Sequence, residues 1–167
     1  MIQIRQNVFE TNSSSTHSIT IADSALLPSE FEVMIDDNGD EVIHVDLVGF
    51  CSYHDHESQN DKLAYLVEQI AYITDNEYAL NFYGTKEENE EAQEALYKTS
   101  EFRELEDAIC DYADCKHIRI NPRSEGYIDH ESVVDSLEDW AWFGMDRNNY
   151  LTFVFAKDSW VHFEFNG

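Results

Sequence analysis

Apolar positions along this chain first alternate and then recur every three or four residues, and the change of period marks out its elements. Ile2 to Phe9 and Ser18 to Ala22 read as strands flanking a polar stretch, Glu10 to His17. Phe31 to Ile35 and Glu41 to Val48 alternate around Asp37-Asn-Gly-Asp40. Asn-Gly there is a strong hairpin signal, because both residues tolerate positive φ. Beyond Asp55 the spacing of Leu63, Leu66, Val67, Ile70 and Ile73 predicts an amphipathic helix to about Asp75. Lys86 to Lys98 is a helical candidate with fewer apolar residues. Ser100 reads as the N-cap of a further helix with Phe102, Leu105, Ile109 and Tyr112 on its buried stripe. His117 to Asn121 is a short strand stopped by Pro122, and Val133, Val134, Leu137, Trp140 and Ala141 mark another helix. A closing hairpin is expected from Tyr150 to Phe155 and Trp160 to Phe165, turning at Lys157-Asp-Ser159. The prediction is a single α+β domain over residues 1–167, with a mixed, mostly antiparallel sheet and helices packed on one face.

The chain also contains an internal repeat. Tyr53 to Leu63 aligns with Tyr127 to Leu137 without a gap, with seven identities over eleven positions, so a strand–Asp-His-Glu-Ser–helix unit occurs twice. On a structural reading Asp55 and Asp129 cap helices, Glu57 and Glu131 complement the positive helix N-terminus, and His56 and His130 pack. On a functional reading a pseudo-two-fold axis brings His56 and His130 together, and with Asp55, Asp129 and His17 they bind a metal or work as acid and base. No H-E-x-x-H or similar metal signature accompanies them.

The Glu10 to His17 segment is dense in hydroxyls and amides, which suit either a network around a phosphate or a capped turn. Serine nucleophile chemistry with His17 as base is also conceivable, but adjacent Ser13, Ser14 and Ser15 lack the strained G-x-S-x-G setting.

Charge changes the picture most. Against 35 Asp and Glu stand 10 Lys and Arg, a formal charge of -25, so direct nucleic-acid binding is disfavoured and a basic protein surface is the natural complement. Glu101, Glu104, Asp107, Asp111 and Asp114 are spaced to form one helical ridge roughly 20 Å long. Glu87, Glu90, Glu91 and Glu94 repeat the pattern one helix earlier. A ridge of carboxylates is either an ordinary solvated face or an imitation of a nucleic-acid backbone's line of charge.

Three cysteines, Cys51, Cys110 and Cys115, suit free thiols in a reducing compartment. Cys110, Cys115 and His117 offer three zinc-ligand types without a clear fourth, whereas helical periodicity puts Cys110 beside the buried stripe. Neither a cofactor motif nor an apolar run of eighteen residues is present, and the opening residues lack a signal-peptide stretch, so a cytoplasmic protein away from the membrane is expected.

Arg5-Gln-Asn-Val-Phe-Glu-Thr-Asn-Ser-Ser-Ser-Thr-His-Ser-Ile19 resembles the N-terminal segment of a group of uncharacterised proteins encoded by bacteriophages and mobile elements. Gly126-Tyr-Ile-Asp-His-Glu-Ser132 resembles a second segment found in some of them. The resemblance implies a small phage-type accessory protein in the bacterial host's cytoplasm and assigns no catalytic residue. With the charge, it leads to the expectation of a non-enzymatic inhibitor, of anti-CRISPR or anti-restriction type, that covers the basic surface of a host nucleic-acid-binding protein. The alternative is a small metal-dependent or acid–base enzyme acting on a nucleotide or phosphodiester through His17, His56 and His130.

Overall fold

The computed structural model describes residues 2–6, 15–21, 24–47, 55–76, 79, 86–121 and 146–165. Chain order runs β1 (Ile2–Gln6), β2 (Ser15–Ile21), β3 (Met34–Ile35), β4 (Glu41–Asp46), β5 (Asp55–His56), α1 (Gln59–Ile73), α2 (Lys86–Tyr97), α3 (Ser100–Ala113), β6 (His117–Asn121), α4 (Arg147–Phe155) and β7 (Trp160–Phe165). The class is α+β, with two mostly antiparallel sheets in place of the single sheet expected. One has the order β1-β2-β7-β5 and the other β3-β4-β6. Among the described residues only the β4–β6 pair is parallel, with Val42 opposite His117 and Val45 opposite Ile120.

β1 pairs antiparallel with β2, Ile4 opposite Ile19, and β3 pairs antiparallel with β4, Met34 opposite Val42. Asp36 Oδ1 accepts from the backbone N–H of Asn38 at 2.8 Å and of Asp40 at 3.0 Å, which folds the β3–β4 turn around its own carboxylate. Gly39 takes φ 82° there, the left-handed conformation the Asn-Gly pair predicted.

Helix α1 is the central element. Leu63, Leu66, Val67 and Ile70 are buried as their spacing requires, but Lys62, Glu68 and Gln69 are buried too, so the helix is enclosed on nearly every side. Its first turn is stitched to two neighbours by amides. Gln59 Nε2 donates to the Pro28 carbonyl at 2.9 Å, and its Oε1 accepts from Glu30 N–H at 2.8 Å. Asn60 Nδ2 donates to the Asp46 carbonyl at 2.8 Å while its Oδ1 accepts from Asp46 N–H at 3.0 Å, which anchors the end of β4. These side-chain amides thereby tie the loop at residues 28–30 and the end of β4 to the start of the helix.

Several local expectations are corrected. Asp55 belongs to β5, and the N-cap of α1 is Ser58, whose Oγ accepts from Asp61 N–H at 3.0 Å. The Ser-x-x-Asp spacing is a capping signal lying inside the repeated motif itself. Helix α3 is capped by Thr99, whose Oγ1 accepts from Phe102 N–H at 3.2 Å, while Ser100 is its first residue. Ser15, Thr16 and His17, expected in a polar connection, lie within β2.

The largest correction concerns Tyr150 to Phe155, expected as a strand and found as helix α4. Aromatic and β-branched composition favoured the strand. The burial of Tyr150, Phe153 and Val154 at helical spacing, with Asp146 capping the start through its bond from Asn148 N–H, decides for the helix. Strand β7 therefore pairs with β2 and β5 instead of with this segment. The second repeat copy, Tyr127–Leu137, and the expected helix at Val133–Ala141 lie outside the described residues.

Candidate functional site

The acidic ridge expected on α3 is present as a surface. Helix α3 buries Phe102, Leu105, Ala108 and Ile109, and this stripe turns Glu104, Asp107 and Asp111 outward. Asp114 follows, exposed, at the helix end, and Glu101 in the first turn is partly buried and accepts from Ser100 Oγ at 3.0 Å. On α2, Glu87, Glu90, Glu91 and Glu94 are exposed.

Cations are unevenly shared among these acids. Lys116 pairs with Asp40 at 2.6 Å and Arg119 with Asp36 at 3.8 Å, which places two basic side chains of the β6 region against the β3–β4 turn. Arg119 also lies over the Tyr97 ring, 5.6 Å from its centroid. Lys98 pairs with Glu94 at 3.2 Å along α2. On the α3 ridge Arg147 reaches Asp111 at 2.8 Å, and no cation among the described residues pairs with Glu104, Asp107 or Asp114. Glu104 and Asp107 line a cleft of about 210 Å³ with Arg147 and Tyr150, between α3 and α4.

The position of the acids along α3 is informative because the C-terminal end of a helix carries partial negative charge. Asp111 and Asp114 lie at that end, and the last turn holds no basic residue. Asp114 additionally adopts φ 57°, a left-handed conformation normally filled by Gly or Asn. Both features oppose helix stability, so local stability does not account for these two aspartates.

The histidine candidates are distributed across the first sheet. His17 is the register partner of Phe163 and His56 that of Val161, so the two lie on the strands flanking β7 and two register steps apart. Strand and residue spacings then put their backbones roughly 12 Å apart. His130 and Asp129 lie outside the described residues. The register also assembles a row that sequence reading missed: Arg5, Ser18, His162 and Asp55 are successive partners across β1, β2, β7 and β5. His162 stood in an expected strand with nothing to mark it, because its partners are over a hundred positions away.

Of the zinc candidates, Cys110 and Cys115 come together with their Sγ atoms 2.7 Å apart. His117 turns elsewhere, its Nδ1 lying 3.3 Å from Glu106 and its Nε2 4.0 Å from Asp40. Among the described residues no group of three potential ligands surrounds a metal-sized site.

Lys62 is a further residue that periodicity could not single out. The residue is only 2% exposed, and Nζ donates to the carbonyls of Ala156 at 3.1 Å and Ser159 at 3.2 Å. Burial pushes its pKa down to about 8, partly offset by the carboxylates of Glu30 and Glu57.

Among the described residues no helix is long and apolar enough to cross a membrane. Comparison with protein-family models, with curated proteins and with solved structures finds no match to this chain.

Proposed function

We propose that this chain is a phage-type acidic inhibitor acting in the bacterial cytoplasm, where it occupies the basic nucleic-acid-binding surface of a host or defence protein. The observation that carries this reading is the α3 ridge, where Glu104, Asp107, Asp111 and Asp114 are exposed and, among the described residues, Arg147 is the one cation paired with them. A basic groove built for phosphates gains from each carboxylate it meets, and the overall charge of -25 steers the encounter over a longer range. Resemblance of the N-terminal segment to phage-encoded proteins supports the same reading.

The test is competition in a DNA-binding assay with purified restriction and CRISPR effector proteins, at low and high salt. Wild type should displace DNA at low salt and lose potency as salt screens the ridge. The variant carrying Glu101→Lys, Glu104→Lys, Asp107→Lys and Asp111→Lys should not compete while keeping its helical circular dichroism. Undiminished competition by that folded variant refutes the proposal.

One observation favours a second reading, an acid–base enzyme. Asp55 and His162 are direct register partners, with Ser18 the partner of His162 in the strand on its other side, so the backbone register places residue types used in general-base chemistry on neighbouring strands. Under this reading hydrolysis of nucleotide or phosphodiester substrates disappears in His162→Ala and Asp55→Asn with the fold retained. Absence of any such activity in wild type removes it.

A further inference from the structure

Cys110 and Cys115 are placed by the way α3 ends. The backbone N–H of Cys115 reaches back to the Cys110 carbonyl at 3.1 Å, and Asp114 between them is left-handed, which together form the six-to-one closure of a Schellman turn. That turn ordinarily brings two apolar side chains into contact, one from the last helical turn and one just beyond it. Here both are thiols. Cys110 is buried against the core at 5% exposure, whereas Cys115 is only partly buried. The shared hydrogen bond and burial push the Cys110 thiol up, and the same bond pulls the Cys115 thiol down, which makes Cys115 the more readily ionised of the two.

The surroundings are acidic. Glu106, Asp114 and Glu41 each act against the Cys115 thiolate, and Glu106 and Asp107 act against that of Cys110. Neutral disulfide is favoured over thiolates in such a field, and incoming reagents are sorted by charge.

We propose that Cys110 and Cys115 form a dithiol modification site that is oxidised to an intramolecular disulfide by small cationic disulfides. Cys115 thiolate attacks one sulfur of the reagent, forming a mixed disulfide and releasing one reagent thiolate. Cys110 then gives up its proton and attacks the Cys115 sulfur, expelling the second half of the reagent as thiol. Counted from the dithiol, the protein loses two electrons and two protons, the first proton leaving when the Cys115 thiolate forms, and these convert one reagent disulfide into two thiols. The sulfurs already lie 2.7 Å apart, and the product staples the end of α3 to the start of β6.

The experiment treats the full wild-type chain with cationic cystamine, neutral hydroxyethyl disulfide and anionic oxidised glutathione, followed by peptide mapping. The expected result is a Cys110–Cys115 cross-linked peptide, formed about tenfold faster with cystamine than with glutathione disulfide at low salt. The difference should shrink at high salt. Cys110→Ser should stop at a stable adduct on Cys115, and Cys115→Ser should leave Cys110 unmodified over the same interval. Stable mixed adducts on wild-type Cys115 without cross-linking overturn the proposal. So do equal rates with all three reagents, or consumption of Cys51 while Cys110 and Cys115 stay reduced.

Discussion

Lys62 Nζ lies 3.1 Å from the Ala156 carbonyl oxygen, tying the central helix to the end of α4 through a cation that is almost wholly buried. Burial penalises the charged form, and the folded-state pKa of about 8 lies below the ordinary 10.5. The unfolded chain therefore binds this proton more tightly. Below pH 8 the penalty is fully present, and between pH 8 and 10.5 it is relieved as the native amine deprotonates first. The Lys62 contribution to stability should rise by about 1 kcal/mol between pH 7 and pH 9. Denaturant titrations of wild type and Lys62→Met check this: the difference between them should move in favour of wild type as pH rises. A pH-independent difference would mean that the buried amine keeps its ordinary pKa.

Asp114 is a residue whose replacement should stabilise the fold. Asp114→Asn removes a carboxylate from the negative end of α3, and Asp114→Gly also removes the cost of a side chain at φ 57°. Each should add about 0.5–1 kcal/mol, raising Tm by roughly 1–4 °C in a chain of this size. If the ridge binds a basic partner, both variants should bind it more weakly despite being more stable. Thermal melts paired with the DNA-competition assay separate the two effects.

The β3–β4 turn depends on Gly39 and Asp36 for different reasons. A Cβ at Gly39 meets nothing within 4 Å, so the cost of Gly39→Ala is conformational, about 1 kcal/mol from φ 82°. Asp36 is held below the usual carboxylate range mainly by the Asp40 N–H. Its contribution is present above its ordinary pKa of 3.8 and is lost as pH falls through the depressed folded value. Acid denaturation of Asp36→Asn should lack that component, and an unchanged acid transition counts against the role of the turn.

Helix α4 can be tested at its cap. Asp146 Oδ1 accepts from Asn148 N–H at 2.8 Å, so Asp146→Ala should cost about 1 kcal/mol of stability. Hydrogen exchange should show faster exchange over Arg147–Phe155, with β7 less affected. No change in either measurement would favour a strand over these residues.

Much of the architecture was legible in the sequence. The periods of two and of three to four residues marked β4, β6 and helices α1 to α3, and Asn38-Gly39 marked the turn. The acidic stripe of α3 followed from the same spacing that buries Phe102, Leu105 and Ile109 on its other side. Asp55 was misread as a cap because the repeat drew attention to its Asp-His pair, although Ser58 and Asp61 held the signal.

What periodicity could not determine was anything decided by distant partners. A segment as rich in aromatic residues as Tyr150–Phe155 satisfies strand propensity, and only its packing against α1, α3 and β2 makes the helix the better way to bury it. Strand pairing likewise depends on which edges meet, so the Ser18, His162 and Asp55 row, the two-sheet division and the ion pair of Arg147 with Asp111 arise only on folding. The sequence by itself determined charge, periods and local caps, because those depend on neighbours a few residues away. Tertiary structure decided which cations the acids meet and what surrounds Lys62, because burial and electrostatic pairing are properties of the assembled core.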